Sequence, residues 1–117
     1  MQRGDVVVCV LTGDCGKPRP AVVVQSDLFN KTHETITLCP VTTHLCETPL
    51  FRILITANKQ NGLKKTSQVM IDKITTQKRS KIHQKIGVLT KEQMKHIDDA
   101  LILWLSPNPI AKLFPRD

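Results

Sequence analysis

The chain has 117 residues, 40% of them hydrophobic, which is enough for one core and too few for two domains of ordinary size. No apolar run reaches the roughly 18 residues that a spanning helix needs, and the N-terminus lacks a secretory h-region, so residues 1–117 read as one cytoplasmic domain. A net charge of +7 favours an acidic partner: nucleic acid, an acidic protein segment or a membrane surface.

Residues 4–11 are rich in valine and predict a first strand, followed by a loop carrying Gly13, Asp14 and Gly16. A second strand is predicted over 20–25 and a polar connection over 26–31. Alternation then predicts strands over 35–41 and 51–56. Lys59-Gln60-Asn61-Gly62 is a turn signal, and 67–71 is a further short strand. Only the last third reads helical. Thr90 and Gln93 fit a capping box, and Met94, Ile97, Leu101 and Trp104 recur at helical spacing as one core-facing stripe. Pro107 and Pro109 prevent continuation. The expected architecture is a small, strongly curved antiparallel sheet closed by a C-terminal helix.

The most informative run is Gly16-Lys17-Pro18-Arg19-Pro20, leading into Ala21-Val22-Val23-Val24. Two prolines fix φ on either side of Arg19, which lowers the entropy cost of presenting its side chain at one angle. A guanidinium forks onto phosphate oxygens, so a held arginine marks an anion site, against the alternative of a solvated strand entry. Residues 52–85 carry nine lysines and arginines against Asp72 alone, which reads as a polyanion face or as a solvated one. Asp72 itself fits a salt bridge, a turn closure or a base contact.

Aromatics are scarce: Phe29, Phe51, Phe114 and Trp104, with no tyrosine. The composition therefore argues against a platform stacking several bases, and Phe51 is the candidate for a single stacked base, with a core position as its other reading. Cys9, Cys15, Cys39 and Cys46 form no Cys-x-x-Cys pair and are expected to stay reduced. A zinc set of His33, Cys39, His44 and Cys46 matches no common metal spacing, and no cofactor or metal is expected.

Four segments in register resemble the MazF/PemK toxins over nearly the whole chain. They are Arg3-Gly4-Asp5-Val6-Val7, the run from Gly16 to Asp27, Pro40-Val41-Thr42-Thr43, and Ser67-Gln68-Val69-Met70-Ile71-Asp72-Lys73-Ile74; the capped terminal helix follows in order. The resemblance implies an SH3-like β-barrel that forms a homodimer and cuts single-stranded RNA (mRNA) at short sequences without a metal. It implies a cognate antitoxin whose acidic segment fills the RNA groove, DNA reached only through that antitoxin, and no membrane. The family's catalytic arginine corresponds to Arg19, in its Gly-x-x-Arg-Pro context, and its catalytic threonine to Thr42. The chain departs from the PemK branch at Met70, where that branch has an arginine.

On this reading the RNA 2′-hydroxyl attacks the adjacent phosphorus, leaving a 2′,3′-cyclic phosphate and a 5′-hydroxyl. Arg19 would stabilise the transition-state charge and Thr42 would bond a non-bridging oxygen. RNA-binding candidates around them are Lys17, Thr43, His44, Phe51, Lys64, Lys65 and Lys73, with His44 and His33 as candidate proton carriers. The competing readings are a CcdB-like gyrase-binding toxin, a degenerate member that only binds RNA or antitoxin, and an SH3-like peptide adaptor. Retained Arg19 and Thr42 oppose the first two, and the shortage of aromatics opposes the third.

Overall fold

A computed structural model describes residues 1–11, 16–48 and 50–106. Along the chain come β1 (Asp5–Val10), β2 (Pro18–Val23), α1 (Asp27–Asn30), β3 (Thr35–Thr42), β4 (Arg52–Ile55), β5 (Ser67–Met70), β6 (Thr75–Lys78), β7 (Ile82–Val88) and α2 (Lys91–Leu105). Gly13, Asp14, Cys15, Pro107, Pro109 and Phe114 lie outside the described residues. The strands form one antiparallel sheet in the order β4-β5-β3-β2-β1-β7, with β6 also paired to β3. Among the described residues this ladder stays open between β4 and β7. The expected barrel is thus a curved sheet with a C-terminal helix.

Because side chains alternate across a strand, the valine-rich strands feed two apolar clusters. Val6, Val22, Val41 and Val69 pack with Met94, Ile97 and Ala100 of α2. Val7, Cys9, Ala21, Val23, Ile36 and Leu38 form the second cluster on the opposite face. No helix among the described residues is long and apolar enough to cross a membrane.

The capping box is present: Gln93 N–H donates to Thr90 Oγ1 (3.1 Å) and Thr90 N–H to Gln93 Oε1 (2.9 Å). The predicted stripe is corrected at its far end. Ala100 takes the deep position, Leu101 is half-buried and Trp104 is 47% exposed. The helix packs on the 3-10 turn Ile71–Lys73 and on edge strand β4, so its last turn is covered on one side only.

Arg3, in the Arg-Gly-Asp run, proves structural. Its N–H donates to Asp27 Oδ1 (2.7 Å), its Nε to the Val24 carbonyl (2.9 Å), and it pairs with Asp98 of α2.

Three elements escape the pattern reading. The connection over 26–31 contains α1, capped by Ser26, which is only four residues long. β6 lies inside the basic run and β7 begins in it; β7 is a sheet edge, partly solvent-facing, and pairs with β1 through register shifts. Ile82 and Ile86 of β7 pack on opposite clusters because register shifts interrupt the strand, which leaves no steady alternation to read.

Candidate functional site

β2 begins at Pro18, where only β1 lies beside it: Val10 pairs with Pro18, Cys9 with Arg19 and Val8 with Pro20. β3 joins on the other side at Ala21, opposite Pro40. Pro18–Pro20 is therefore a sheet edge, the position at which proline is tolerated. Extending the Ala21–Pro40 register by two residues brings Arg19 level with Thr42 on the same face. The two residues line one open cavity of about 570 Å³, together with Pro40, Met70, Asp72 and Lys73. Arg19 also lines a second cavity, of about 490 Å³, shared with Thr43, Lys64, Lys65 and Gln84. The Arg19 side chain thus borders both hollows.

The Thr42 hydroxyl accepts the N–H of His44 at 3.1 Å. A hydroxyl holds one donor and two acceptor positions, so its own hydrogen stays available to a ligand oxygen.

One wall of the first cavity comes from a break in the sheet. β3 pairs with β6 over Thr35–Leu38 and with β5 over Val41–Thr42, leaving Cys39 and Pro40 beside the 3-10 turn Ile71–Lys73. Pro40 cannot supply a ladder donor, which suits a point where the partner strand turns away. Asp72 in this turn is held by Arg52 of β4 through two bonds, Nε–Oδ1 at 2.7 Å and Nη2–Oδ2 at 2.9 Å. Of the readings open for Asp72, the salt bridge is the one observed, and it anchors the turn carrying Lys73.

The Arg52 hydrogen bonds hold the Asp72 carboxyl below the usual carboxylate range. A depressed folded pKa stabilises the native state above the unfolded value of about 3.9, and the contribution is lost as pH falls through the folded value. Asp72→Asn should cost about 1–3 kcal/mol at neutral pH. Urea midpoints taken between neutrality and pH 2 should fall less steeply in acid for this variant than for the parent.

Two polar clamps hold the neighbouring loops. Gln68, buried in β5, accepts the Cys46 N–H (2.9 Å) and donates to the Cys46 carbonyl (2.8 Å), fixing the segment after Thr43. Asn61, also buried, donates to the Thr56 carbonyl (2.9 Å) and accepts the N–H groups of Asn58 (3.1 Å) and Leu63 (3.0 Å). The predicted turn at 59–62 is therefore formed, and it presents Lys64 and Lys65.

The basic run is divided. Lys64, Lys65 and Lys73 line the cavities. Arg52 is committed to Asp72, Lys85 pairs with the buried Asp5 (3.3 Å), and Arg79 donates to the backbone carbonyls of Asn30 and His33. Lys17 and His44 are exposed and line neither hollow. Phe51 lines neither hollow; it packs on the α2 cluster with its ring 5.5 Å from that of Trp104, so its core reading holds.

His33, Cys39, His44 and Cys46 are not gathered: among the described residues no three His, Cys, Asp or Glu side chains converge to hold a metal. Burial pushes the Cys39 thiol up to about 12 and raises Cys9 as well. Both should resist iodoacetamide in the native protein, whereas half-buried Cys46 should be alkylated, as peptide mass spectrometry would show.

Sequence reasoning missed Thr75 and Gln77, which line the first cavity. Their place is set by pairing with Leu38 and Ile36 across the sheet, and the polar run Thr75–Lys78 carries no sign of that pairing.

Residues 2–105 match the family described as PemK-like, MazF-like toxin of type II toxin-antitoxin system. A protein of Mycolicibacterium smegmatis called probable endoribonuclease MazF is 39% identical over 106 residues, covering 90% of this chain and 96% of that protein. Among solved structures, MazF from Deinococcus radiodurans superposes with a TM-score of 0.75 at 20% identity, covering 90% of this chain and 96% of that one. An endoribonuclease from Mycobacterial species, solved in complex with its cognate antitoxin, gives a TM-score of 0.72 at 22% identity, covering 87% and 91%.

Proposed function

Because this chain belongs to the PemK-like, MazF-like toxins of type II toxin–antitoxin systems, we propose that it cuts single-stranded RNA in the cytoplasm at the cavity shared by Arg19 and Thr42. The observation that supports this reading is that Arg19 and Thr42 line one open hollow together with Lys73. The RNA supplies the nucleophile. Its 2′-oxygen bonds to phosphorus and loses its proton, the bond from phosphorus to the 5′-oxygen breaks, and that oxygen takes up a proton. A 2′,3′-cyclic phosphate and a 5′-hydroxyl remain.

The protein's task is to hold the phosphate in line and stabilise the charge that builds on its oxygens. A guanidinium fixed between two prolines meets that demand with little reorganisation. The Thr42 hydroxyl donates to a non-bridging oxygen while its own oxygen keeps the His44 N–H. Lys73 on one side, and Lys64, Lys65 and Thr43 on the other, guide the flanking backbone, and the exposed Lys17 and His44 meet it outside the hollows. The acidic segment of a cognate antitoxin blocks the enzyme by filling the same hollow. The active form is a homodimer, and DNA is reached only through the antitoxin.

The test is incubation of purified protein with a long single-stranded RNA in EDTA, followed by identification of the fragment ends. Cyclic phosphate and 5′-hydroxyl ends are expected at a short recurrent sequence. A folded protein that leaves many RNA sequences intact overturns the proposal.

A further inference from the structure

We propose that Gln77, held by Thr75, reads the edge of a base a few nucleotides from the scissile phosphate and so sets one position of the RNA sequence that is cut; this rests on the RNA-cleaving reading of the same cavity. Gln77 is only 7% exposed, and it stands opposite Ile36, with Thr75 opposite Leu38. Both partners are fully buried aliphatic residues. A carboxamide in such surroundings is costly unless its polar atoms are matched.

The other buried amides of this fold are matched at both ends. Gln68 closes on Cys46 through both polar atoms, and Asn61 and Asn30 each use their oxygen and their nitrogen. Gln77 makes a single bond, from Nε2 to Thr75 Oγ1 at 3.1 Å. Among the described residues no donor is bonded to its Oε1. If the amide is turned over, the threonine hydroxyl donates instead of accepting, and one amide atom is still left over. Among the described residues Thr48 Oγ1 is the one fully buried side-chain polar atom without a partner, so the free end of Gln77 is open to the hollow that contains Arg19 and Thr42.

Position and chemistry point to a base. Gln77 lies level with Ile36, six residues along β3 from Thr42, or about 20 Å at the usual strand rise. That is too far to share the phosphate held at Thr42, and within the same hollow. The groups beside Thr42 are cationic and suit phosphate, whereas a neutral carboxamide suits a base edge. It offers an acceptor beside a donor, the pattern by which Gln pairs in two bonds with an edge carrying a donor next to an acceptor. Bases of single-stranded RNA are splayed and open to such pairing.

The experiment compares the parent, Gln77→Met and Gln77→Glu. Met keeps the length without polar atoms, and Glu replaces the donor by a second acceptor. Cleavage of a randomised RNA library is read by sequencing the fragment ends. In parallel, binding to short uncleavable 2′-O-methyl RNAs with single-base changes is read by fluorescence anisotropy.

The expected result is that Gln77→Met loses on the order of 10- to 100-fold selectivity at one nucleotide position and keeps the rest of the preference and the product ends. Gln77→Glu should move that same position toward guanine, whose N1–H and exocyclic amine are adjacent donors. Unchanged preference in both folded variants overturns the inference. If the parent binds but cuts nothing, the cleavage reading fails, and the binding selectivities decide alone whether Gln77 reads a base. Absence of any RNA binding overturns both.

Discussion

Arg19→Ala is expected to lower cleavage of single-stranded RNA by about 10²–10³-fold in a variant that remains folded. The side chain is exposed on an edge segment, so its loss opens no core cavity. Its contribution lies in charge placed before the reaction starts. Pro18 and Pro20 limit the backbone on either side, and the strand face directs it to the hollow that Thr42 borders. Arg19→Lys should recover only part of the rate, because an ammonium restores charge without the two-pronged fit to phosphate oxygens. Initial rates on one oligonucleotide, with circular dichroism as the folding control, make the measurement. Equal rates for parent and Arg19→Ala would remove Arg19 from the chemistry.

Gly62→Ala is expected to cost about 2–5 kcal/mol, the larger of two glycine effects that the same measurement separates. Gly62 has φ of +70°, and an added Cβ would come 2.1 Å from the Ile86 carbonyl oxygen. That contact is backbone against backbone, so either the turn or β7 must move. Gly87 is the other half of the contact, since a Cβ there would come 2.2 Å from the Asn61 carbonyl carbon. Gly16 is the control: its φ is +75°, yet no atom lies within 4 Å of the Cβ position. Gly16→Ala should therefore cost only the left-handed backbone penalty, about 1–2 kcal/mol. Chemical denaturation of the two variants reads the difference directly, and equal losses would show that close approach to β7 carries no weight. Because the Asn61-Gly62 turn presents Lys64 and Lys65, Gly62→Ala should also weaken RNA binding at a temperature where the protein remains folded.

The sheet with its terminal helix was legible because its signals are local. Valine-rich runs mark β1 and β2, apolar alternation marks β3, Asn61-Gly62 marks a turn that needs a left-handed residue, and Thr90 with Gln93 marks a helix start through bonds closed within four residues. Arg19 stood out for the same reason: two flanking prolines act on its backbone without any distant partner. β6 was hidden because it is polar throughout, and β7 because register shifts break its period. Their residues are strands by virtue of pairing with β3 and β1.

Charge shows the same division. The sequence alone determines a basic excess between 52 and 85, since formal charge is a property of composition. It does not determine which cations are open to a ligand. Folding neutralises Arg52 on Asp72, spends Arg79 on two carbonyls and Lys85 on Asp5, and leaves Lys64, Lys65 and Lys73 at the hollows. Phe51 likewise went to the core because α2 brought Trp104 over it.

Composition, backbone stiffness and side-chain periodicity thus specified by themselves the strand-rich class, the capped helix and one pre-set arginine, because each acts over a few neighbouring residues. The tertiary structure alone decided that Thr42 shares a hollow with Arg19, that Asp72 is bound to Arg52, and that Gln77 lines that hollow. Those outcomes depend on strand register and on the sheet break opposite Pro40, which bring together residues 20 to 60 positions apart.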